Sequence, residues 1–174
     1  MLSCLWYLAG IKHGRAVLSG VRIEAAMGYI NRIAEADEWP SEVRSKWQKL
    51  FTQLGHINKL RNNILHFGTT PTIDGDRWLV SNREIAHHPS RIREAYVTPA
   101  ILNNAEDDLG FIDVHAFTLM MRQHPKIPRD ALPDFDRELK NRTWRYRSQP
   151  QAVQVRTTQR TLPKQPRSPR PSRA

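Results

Sequence analysis

Seven apolar residues recur at intervals of three or four along the middle of the chain, and this pattern constrains the fold more than any other feature. They are Trp47, Leu50, Leu54, Ile57, Leu60, Ile64 and Phe67. Such spacing over about six turns is typical of an α-helix that buries one face in a protein core. Pro40 suits the first turn of this helix, and Gly68 suits its end. The sequence therefore predicts one long, core-facing helix between them.

Two further segments show the same helical period. The first covers about residues 15–37, and its apolar face consists of Ile23, Ala26, Met27, Ile30, Ile33 and Ala34. The second starts at Pro99, with Thr98 as a cap, and its apolar face consists of Leu102, Ala105, Leu109, Ile112, Ala116 and Leu119. We expect the three helices to close one bundle around a shared core.

Between residues 69 and 98 the helical period disappears. Asp74-Gly75-Asp76 is a turn signal, and the runs Trp78-Leu79-Val80 and Ala95-Tyr96-Val97 favour β-strands. The sequence therefore predicts a small β-hairpin, about residues 76–98, inserted in a domain that is otherwise mainly α-helical.

The face of the long helix opposite its apolar stripe carries polar side chains near its C-terminal end. At about 100° per residue, Asn62 and His66 lie about 160° from Ile64 and are stacked one turn apart. Arg61 lies about 60° from Ile64, at the border of the stripe, from where its guanidinium can reach a neighbouring surface. We expect that neighbour to be the same helix of a second copy.

The run Arg61-Asn62-Asn63-Ile64-Leu65-His66 resembles the motif of the HEPN superfamily, in which an arginine and a histidine enclose four to six residues and a polar residue follows the arginine. The resemblance covers residues 16–124 and implies a HEPN-like antiparallel helical bundle as a domain of residues 1–124. It also implies a homodimer that cleaves RNA without a metal or cofactor. Arg61 and His66 would be catalytic, and Asn62 would orient them.

The chemistry of RNA cleavage by its own 2′-hydroxyl explains why these residue types suit the task. Histidine titrates near neutral pH and can transfer protons. Arginine keeps its charge and can donate to two phosphate oxygens, so it stabilises the negative charge of the transition state. Asparagine can hold an imidazole or a hydroxyl in place. The expected product carries a 2′,3′-cyclic phosphate.

An arginine and a histidine five positions apart also occur by chance in many helices, so His66 could be an ordinary exposed histidine. The alternative function is a non-catalytic helical module that binds a partner or nucleic acid. In the toxin or defence interpretation, RNA is the substrate, and an antitoxin-like or nucleotidyltransferase protein is the expected partner.

Positive charge is concentrated in the C-terminal part of the chain. Residues 1–124 carry 14 Lys and Arg against 13 Asp and Glu, whereas residues 125–174 carry 13 against 4. From Asn141 onward there are nine basic residues and no acidic ones, interspersed with proline, glutamine and serine. Such a composition favours disorder, so we expect residues 125–174 to form a basic, largely disordered tail.

Within this tail, three arginines flank two aromatic residues in the run Arg142, Trp144, Arg145, Tyr146 and Arg147. Cations next to stacking rings are typical of proteins that hold single-stranded nucleic acid. A solvated basic tail with two incidental aromatic residues explains the run equally well.

The remaining sequence patterns argue mainly against a membrane-spanning segment and a metal site. The apolar N-terminal run of residues 1–11 is too short to span a bilayer, and Cys4 is the sole cysteine, which favours a cytoplasmic setting. His87-His88 lacks a spaced set of further ligands, so no metal site is expected. One set of charged residues points in different directions around the last helix and is expected to be a solvated face: Asp107, Asp108, Asp113 and His115.

Overall fold

The computed structural model describes residues 21–73, 75–88, 91–123, 132 and 136–148. Its helices are α1 (Ile23–Ala36), α2 (Ser41–Phe67), α3 (Pro99–Arg122) and α4 (Asp136–Asn141). Its strands are β1 (Thr70–Pro71), β2 (Trp78–Ser81) and β3 (Glu94–Val97). The described part of the protein is therefore mainly helical with a small sheet, as the sequence predicts.

Helix α2 is the centre of the fold, because it packs against both α1 and α3. The first four residues of its apolar stripe are buried, and Leu60, Ile64 and Phe67 are half-buried. Trp47 is 1% exposed and packs between two rings, with centroids 6.3 Å from Trp39 and 5.4 Å from Phe51. Burial of such large apolar side chains is the main stabilising contribution to a fold of this size. The predicted core-facing helix is confirmed.

Specific backbone features set the limits of the helices. Gly68 ends α2 with a φ of 70°, a left-handed conformation that glycine adopts without a steric cost, and its N–H donates to the Ile64 carbonyl oxygen over 3.0 Å. At the start of α3 the Thr98 hydroxyl accepts a hydrogen bond of 3.2 Å from the Ile101 N–H, and Pro99 occupies the first turn. Both features were predicted from the sequence.

Helix α1 begins later than its predicted start near residue 15. Val21 and Arg22 are not helical, and Arg22 has an extended backbone. Residues 15–20 lie outside the described part of the chain. The predicted apolar face is confirmed, because Ala26, Ile30 and Ala34 are buried and the other members pack against the core.

The predicted hairpin is confirmed as β2 paired with β3 in antiparallel register, with Leu79 opposite Tyr96. The short strand β1 adds a third strand next to β2, which the sequence did not suggest. Val80 and Val97 are each 3% exposed and anchor the sheet to the helices. In the strand order β1-β2-β3, β3 lies at an edge of the sheet, and β2 contacts α2.

The apolar stripe of α3 is only partly buried. Ala105, Ile112 and Ala116 belong to the core, but Leu102 and Leu109 are each 41% exposed. The prediction that these two leucines close the bundle was wrong, because they border a groove between α2 and α3 that no described residue fills.

The short helix α4 docks on the other end of α2. Leu139 is 3% exposed, and the Asp136 carboxylate accepts hydrogen bonds from Lys46 at 2.6 Å and Arg122 at 2.9 Å. Burial alone raises the pKa of Asp136, but the hydrogen bond from Lys46 and the charges of Lys46 and Arg122 outweigh it and hold that pKa below its usual value. The folded unit therefore extends past the predicted boundary at residue 124.

Candidate functional site

The last two turns of α2 present Arg61, Asn62 and His66 on the outside of the molecule. Arg61 and His66 are exposed and Asn62 is half-buried, whereas the helical geometry placed Asn62 and His66 opposite the apolar stripe and Arg61 at its border. We refer to these three residues as the polar ridge. Asn62 and His66 are one turn apart, a spacing that places their Cβ atoms about 5–6 Å from each other.

Contacts within the polar ridge are few. The Arg61 Nη1 group donates a hydrogen bond of 3.1 Å to the Asn62 Oδ1 atom. The His66 imidazole makes no hydrogen bond to any other described residue, and the fold does not use it for packing. The ridge therefore offers a guanidinium held by a carboxamide, and an imidazole exposed to solvent.

An apolar groove lies on one side of the polar ridge, between α2 and α3. Its volume is about 370 Å³, and three of the residues that border it are Leu65, Leu102 and Leu109. These leucines are 61%, 41% and 41% exposed. Arg61 borders the same groove, so any protein surface that covers the leucines also meets the guanidinium. Contiguous exposed apolar side chains of this kind are typical of protein interfaces.

A second cavity, which we call the polar groove, lies on the other side of the ridge between α2 and the sheet. Its volume is also about 370 Å³. From α2 it is lined by His56, Lys59 and Asn63, and from the sheet by Tyr96 of β3 and by Arg93, which directly precedes β3. No pattern in the sequence indicates this groove, because its residues come from segments that become neighbours only in the folded chain.

The C-terminal segment of residues 142–148 forms part of the same wall, with Tyr146 and Ser148 at the polar groove. Its position depends on Asp108, which is 0% exposed. The Asp108 carboxylate accepts hydrogen bonds from the Arg142 guanidinium at 2.8 Å, the Tyr146 N–H at 2.8 Å and the Arg145 N–H at 3.2 Å. Gln53 donates to it as well, at 2.9 Å.

The prediction of a largely disordered tail over residues 125–174 was wrong for residues 136–148. The physical reason is local: Tyr146 is 6% exposed in the core, and the Trp144 ring meets Phe111 edge-on with centroids 5.7 Å apart. Burial raises the pKa of Tyr146. Residues 149–174 of the predicted tail lie outside the described residues.

Most of the side chains in residues 142–147 that were predicted to contact nucleic acid are used by the fold. Arg142 is paired with Asp108 and lies 4.4 Å from the Phe111 ring centroid, and Arg145 is paired with Asp107 at the surface. Trp144 and Tyr146 pack on the domain and are not displayed as free stacking rings. Arg147 remains exposed.

Two of the four charged residues expected on a solvated face of α3 are buried. Asp108 and His115 are 0% and 4% exposed, whereas Asp107 and Asp113 are exposed as predicted. The sequence contains evidence for the burial of Asp108, because this residue lies three positions after Ala105 and four before Ile112, within the apolar register. A polar residue in such a register needs internal partners, and here residues 142–146 supply them.

His115 lies under the same segment. Its ring stacks on Phe111 with centroids 3.7 Å apart, and its Nδ1 donates to the Phe111 carbonyl oxygen over 2.8 Å. Burial lowers the pKa of His115, and the nearby Arg142 charge acts in the same direction, which outweighs the opposite effects of the hydrogen bond and of Glu138. His115 is therefore a structural neutral histidine rather than a second acid or base of the ridge.

No group of three or more metal-ligating side chains is present among the described residues, and His87 and His88 are both exposed. Within the same ranges, no helix combines the length and hydropathy needed to cross a membrane. No protein-family model, no curated protein and no solved structure matches the chain. The HEPN resemblance therefore stays an expectation that rests on the residues of the polar ridge.

Proposed function

We propose that this protein is a metal-independent endoribonuclease of toxin or defence type, with RNA as its substrate and the polar ridge as its active site. The observation that carries the proposal is that the exposed Arg61 and His66 lie with the half-buried Asn62 at the end of a helix whose opposite face is buried. The fold gains little from these side chains, so they are available to contact a substrate.

In the proposed reaction the 2′-hydroxyl of one nucleotide attacks the adjacent phosphorus. A bond forms between the 2′-oxygen and phosphorus while the bond to the 5′-oxygen of the next nucleotide breaks. An imidazole takes the proton of the 2′-hydroxyl, and an acid delivers a proton to the leaving 5′-oxygen. The Arg61 guanidinium stabilises the charge on the phosphorane, and Asn62 holds that guanidinium in place.

A single ridge provides one imidazole, whereas the reaction uses both a base and an acid. The apolar groove beside Arg61 suits a second copy of the chain, because a twofold contact there would bury Leu65, Leu102 and Leu109 and bring two ridges together. A homodimer with one composite site is therefore part of the proposal. An antitoxin-like or nucleotidyltransferase partner would act by covering this site.

The alternative, a non-catalytic binding module, is favoured by one contact. Arg61 donates a hydrogen bond to Asn62, but no described hydrogen bond connects either residue to His66. The three side chains of one chain therefore do not form one connected network. In that case the ridge would bind a partner or nucleic acid without cleaving it.

The proposal is tested by comparing RNA cleavage rates of purified variants with matched controls. We expect Arg61→Ala and His66→Ala to reduce the rate about 100- to 10,000-fold, the usual contribution of such groups. Arg44→Ala and His87→Ala, which change an exposed arginine on the same helix and an exposed histidine elsewhere, should leave it unchanged. Equal cleavage by the ridge variants would refute the proposal, and RNA binding without cleavage by the wild type would establish the alternative.

A further inference from the structure

The polar groove adjoins the polar ridge along α2, because its wall residues Asn63 and Phe67 flank His66 in the last turns of the helix. Asn63 is three positions before His66, a spacing that makes their side chains neighbours. A polymer strand that lies in the polar groove therefore reaches the His66 imidazole directly. A cavity of about 370 Å³ is within the range that holds small organic groups such as a nucleobase.

Positive charge in the polar groove is not neutralised by the fold. Lys59 and Arg93 are exposed, and neither has a carboxylate partner among the described residues. Glu94 also lines the groove, but its carboxylate is paired with Arg83 at 3.1 Å and accepts a hydrogen bond from Ser81 at 3.2 Å. The groove thus presents two free cations, one from the helix and one from the sheet edge, to anything that enters it.

Tyr96 adds an aromatic surface to the same wall. Its side chain is 43% exposed. The Arg77 guanidinium lies 4.5 Å from the ring centroid. An exposed ring beside cations is the combination with which proteins hold unpaired bases and their phosphates.

We propose that the polar groove binds the single-stranded RNA segment next to the reacting phosphate, with one base stacked on Tyr96 and its phosphates held by Lys59 and Arg93. The position relative to the reacting phosphate rests on the proposed function, whereas the binding of single-stranded RNA does not. Stacking on one ring requires an unpaired base, so a base-paired duplex is a poor occupant. The groove would thereby direct the ridge to loops or unpaired ends.

The test measures fluorescence anisotropy with a short, labelled single-stranded RNA whose 2′-oxygens are all methylated, so that it cannot be cleaved. We expect Tyr96→Ala to weaken binding about 5- to 150-fold, and Tyr96→Phe to bind like the wild type. The slope of log affinity against log salt should fall by about 0.7 for each of Lys59→Ala and Arg93→Ala. Thermal melts of each variant confirm that it is folded.

The chain provides a matched control for the tyrosine. Tyr29 on α1 is 36% exposed and carries the Arg32 guanidinium 4.6 Å from its ring centroid, but it does not line the polar groove. Tyr29→Ala and Arg32→Ala should therefore bind like the wild type. A folded Tyr96→Ala variant with wild-type affinity, equal losses in both tyrosine variants, or equal affinity for an RNA duplex would overturn the inference, as would a wild type that does not bind.

This experiment separates the inference from the proposed function. If groove variants lose affinity but the wild type cleaves no RNA, the groove is a binding site and the nuclease proposal fails. If the wild type cleaves RNA and the groove variants bind and cleave normally, the nuclease proposal holds and the groove inference is wrong.

Discussion

The substitution Asp108→Asn removes the buried negative charge that holds the C-terminal segment on the domain. The carboxylate accepts hydrogen bonds from four donors, two of which are the backbone N–H groups of Arg145 and Tyr146. An asparagine of the same size keeps one acceptor oxygen but places an N–H₂ group opposite the remaining donors. The Arg142 guanidinium then lacks its anion in a largely buried position.

The expected loss of stability follows from this geometry. Breaking a buried ion pair by removing one partner costs about 3–5 kcal/mol. The Arg142 side chain is 20% exposed and keeps its contact with the Phe111 ring, so we expect the lower end, about 3 kcal/mol. For a domain of this size the midpoint of thermal unfolding should fall by about 10 °C.

Urea unfolding followed by tryptophan fluorescence measures the loss of unfolding free energy. Mass spectrometry after brief trypsin treatment shows which part of the chain becomes accessible to the protease. We expect cleavage after Arg142 and Arg145 to become about 100-fold faster if the segment opens locally. Asp107→Asn is the control, because Asp107 and Arg145 are 48% and 58% exposed and such pairs contribute about 1 kcal/mol or less.

Two results would refute the reasoning. One is an Asp108→Asn protein whose unfolding free energy equals that of Asp107→Asn. The other is a double variant, Asp108→Asn with Arg142→Gln, that is as unstable as the sum of the two single variants. The account predicts a smaller combined loss, because the second change removes the stranded cation.

Three other changes test the fold and the interface. His115→Gln should flatten the loss of stability between pH 7 and pH 5, since the unfolded chain takes up a proton near pH 6.5 that the folded protein, with its lowered His115 pKa, does not. Thr98→Ala should cost about 1 kcal/mol in urea unfolding through loss of the helix cap. Leu102→Lys should convert the proposed dimer to a monomer in light scattering without unfolding it, because Leu102 is 41% exposed.

Each of these has a control and a contradicting outcome. His87→Gln changes an exposed histidine and should keep the wild-type pH slope, and a wild-type slope for the His115 variant would contradict its buried neutral state. A Thr98→Ser variant that unfolds like Thr98→Ala would show that the hydroxyl cap is unimportant. Val114→Lys places a lysine on another exposed apolar site of α3, one that is 51% exposed and does not border the apolar groove, and should leave the mass unchanged.

Periodicity alone predicted the three long helices, since burial of one face leaves a regular mark on the sequence. It also placed Asn62 and His66 on the face of α2 opposite the stripe and Arg61 at the border of the stripe, because their angular positions follow from the helix itself. Turn chemistry and β-propensity located the paired strands, and the cap at Thr98 was evident from the residue types.

Composition gave a wrong prediction of disorder where a few specific contacts outweigh the average polarity of a segment. Residues 142–148 have the composition of a disordered tail, yet the buried Asp108 carboxylate and the Tyr146 ring hold them in place. Contacts between segments so distant in sequence leave no periodic signal. The exposure of Leu102 was missed for a related reason, because its spacing fits the stripe although no described element covers it.

The central claim is that the polar ridge cleaves RNA without a metal, and end-group analysis of RNA incubated in EDTA tests it most directly. The account predicts that the wild type cleaves a structured RNA in EDTA and leaves 2′,3′-cyclic phosphate ends, whereas His66→Ala leaves the RNA intact. Cleavage that requires a divalent cation, 3′-hydroxyl ends, or equal cleavage by His66→Ala would contradict it.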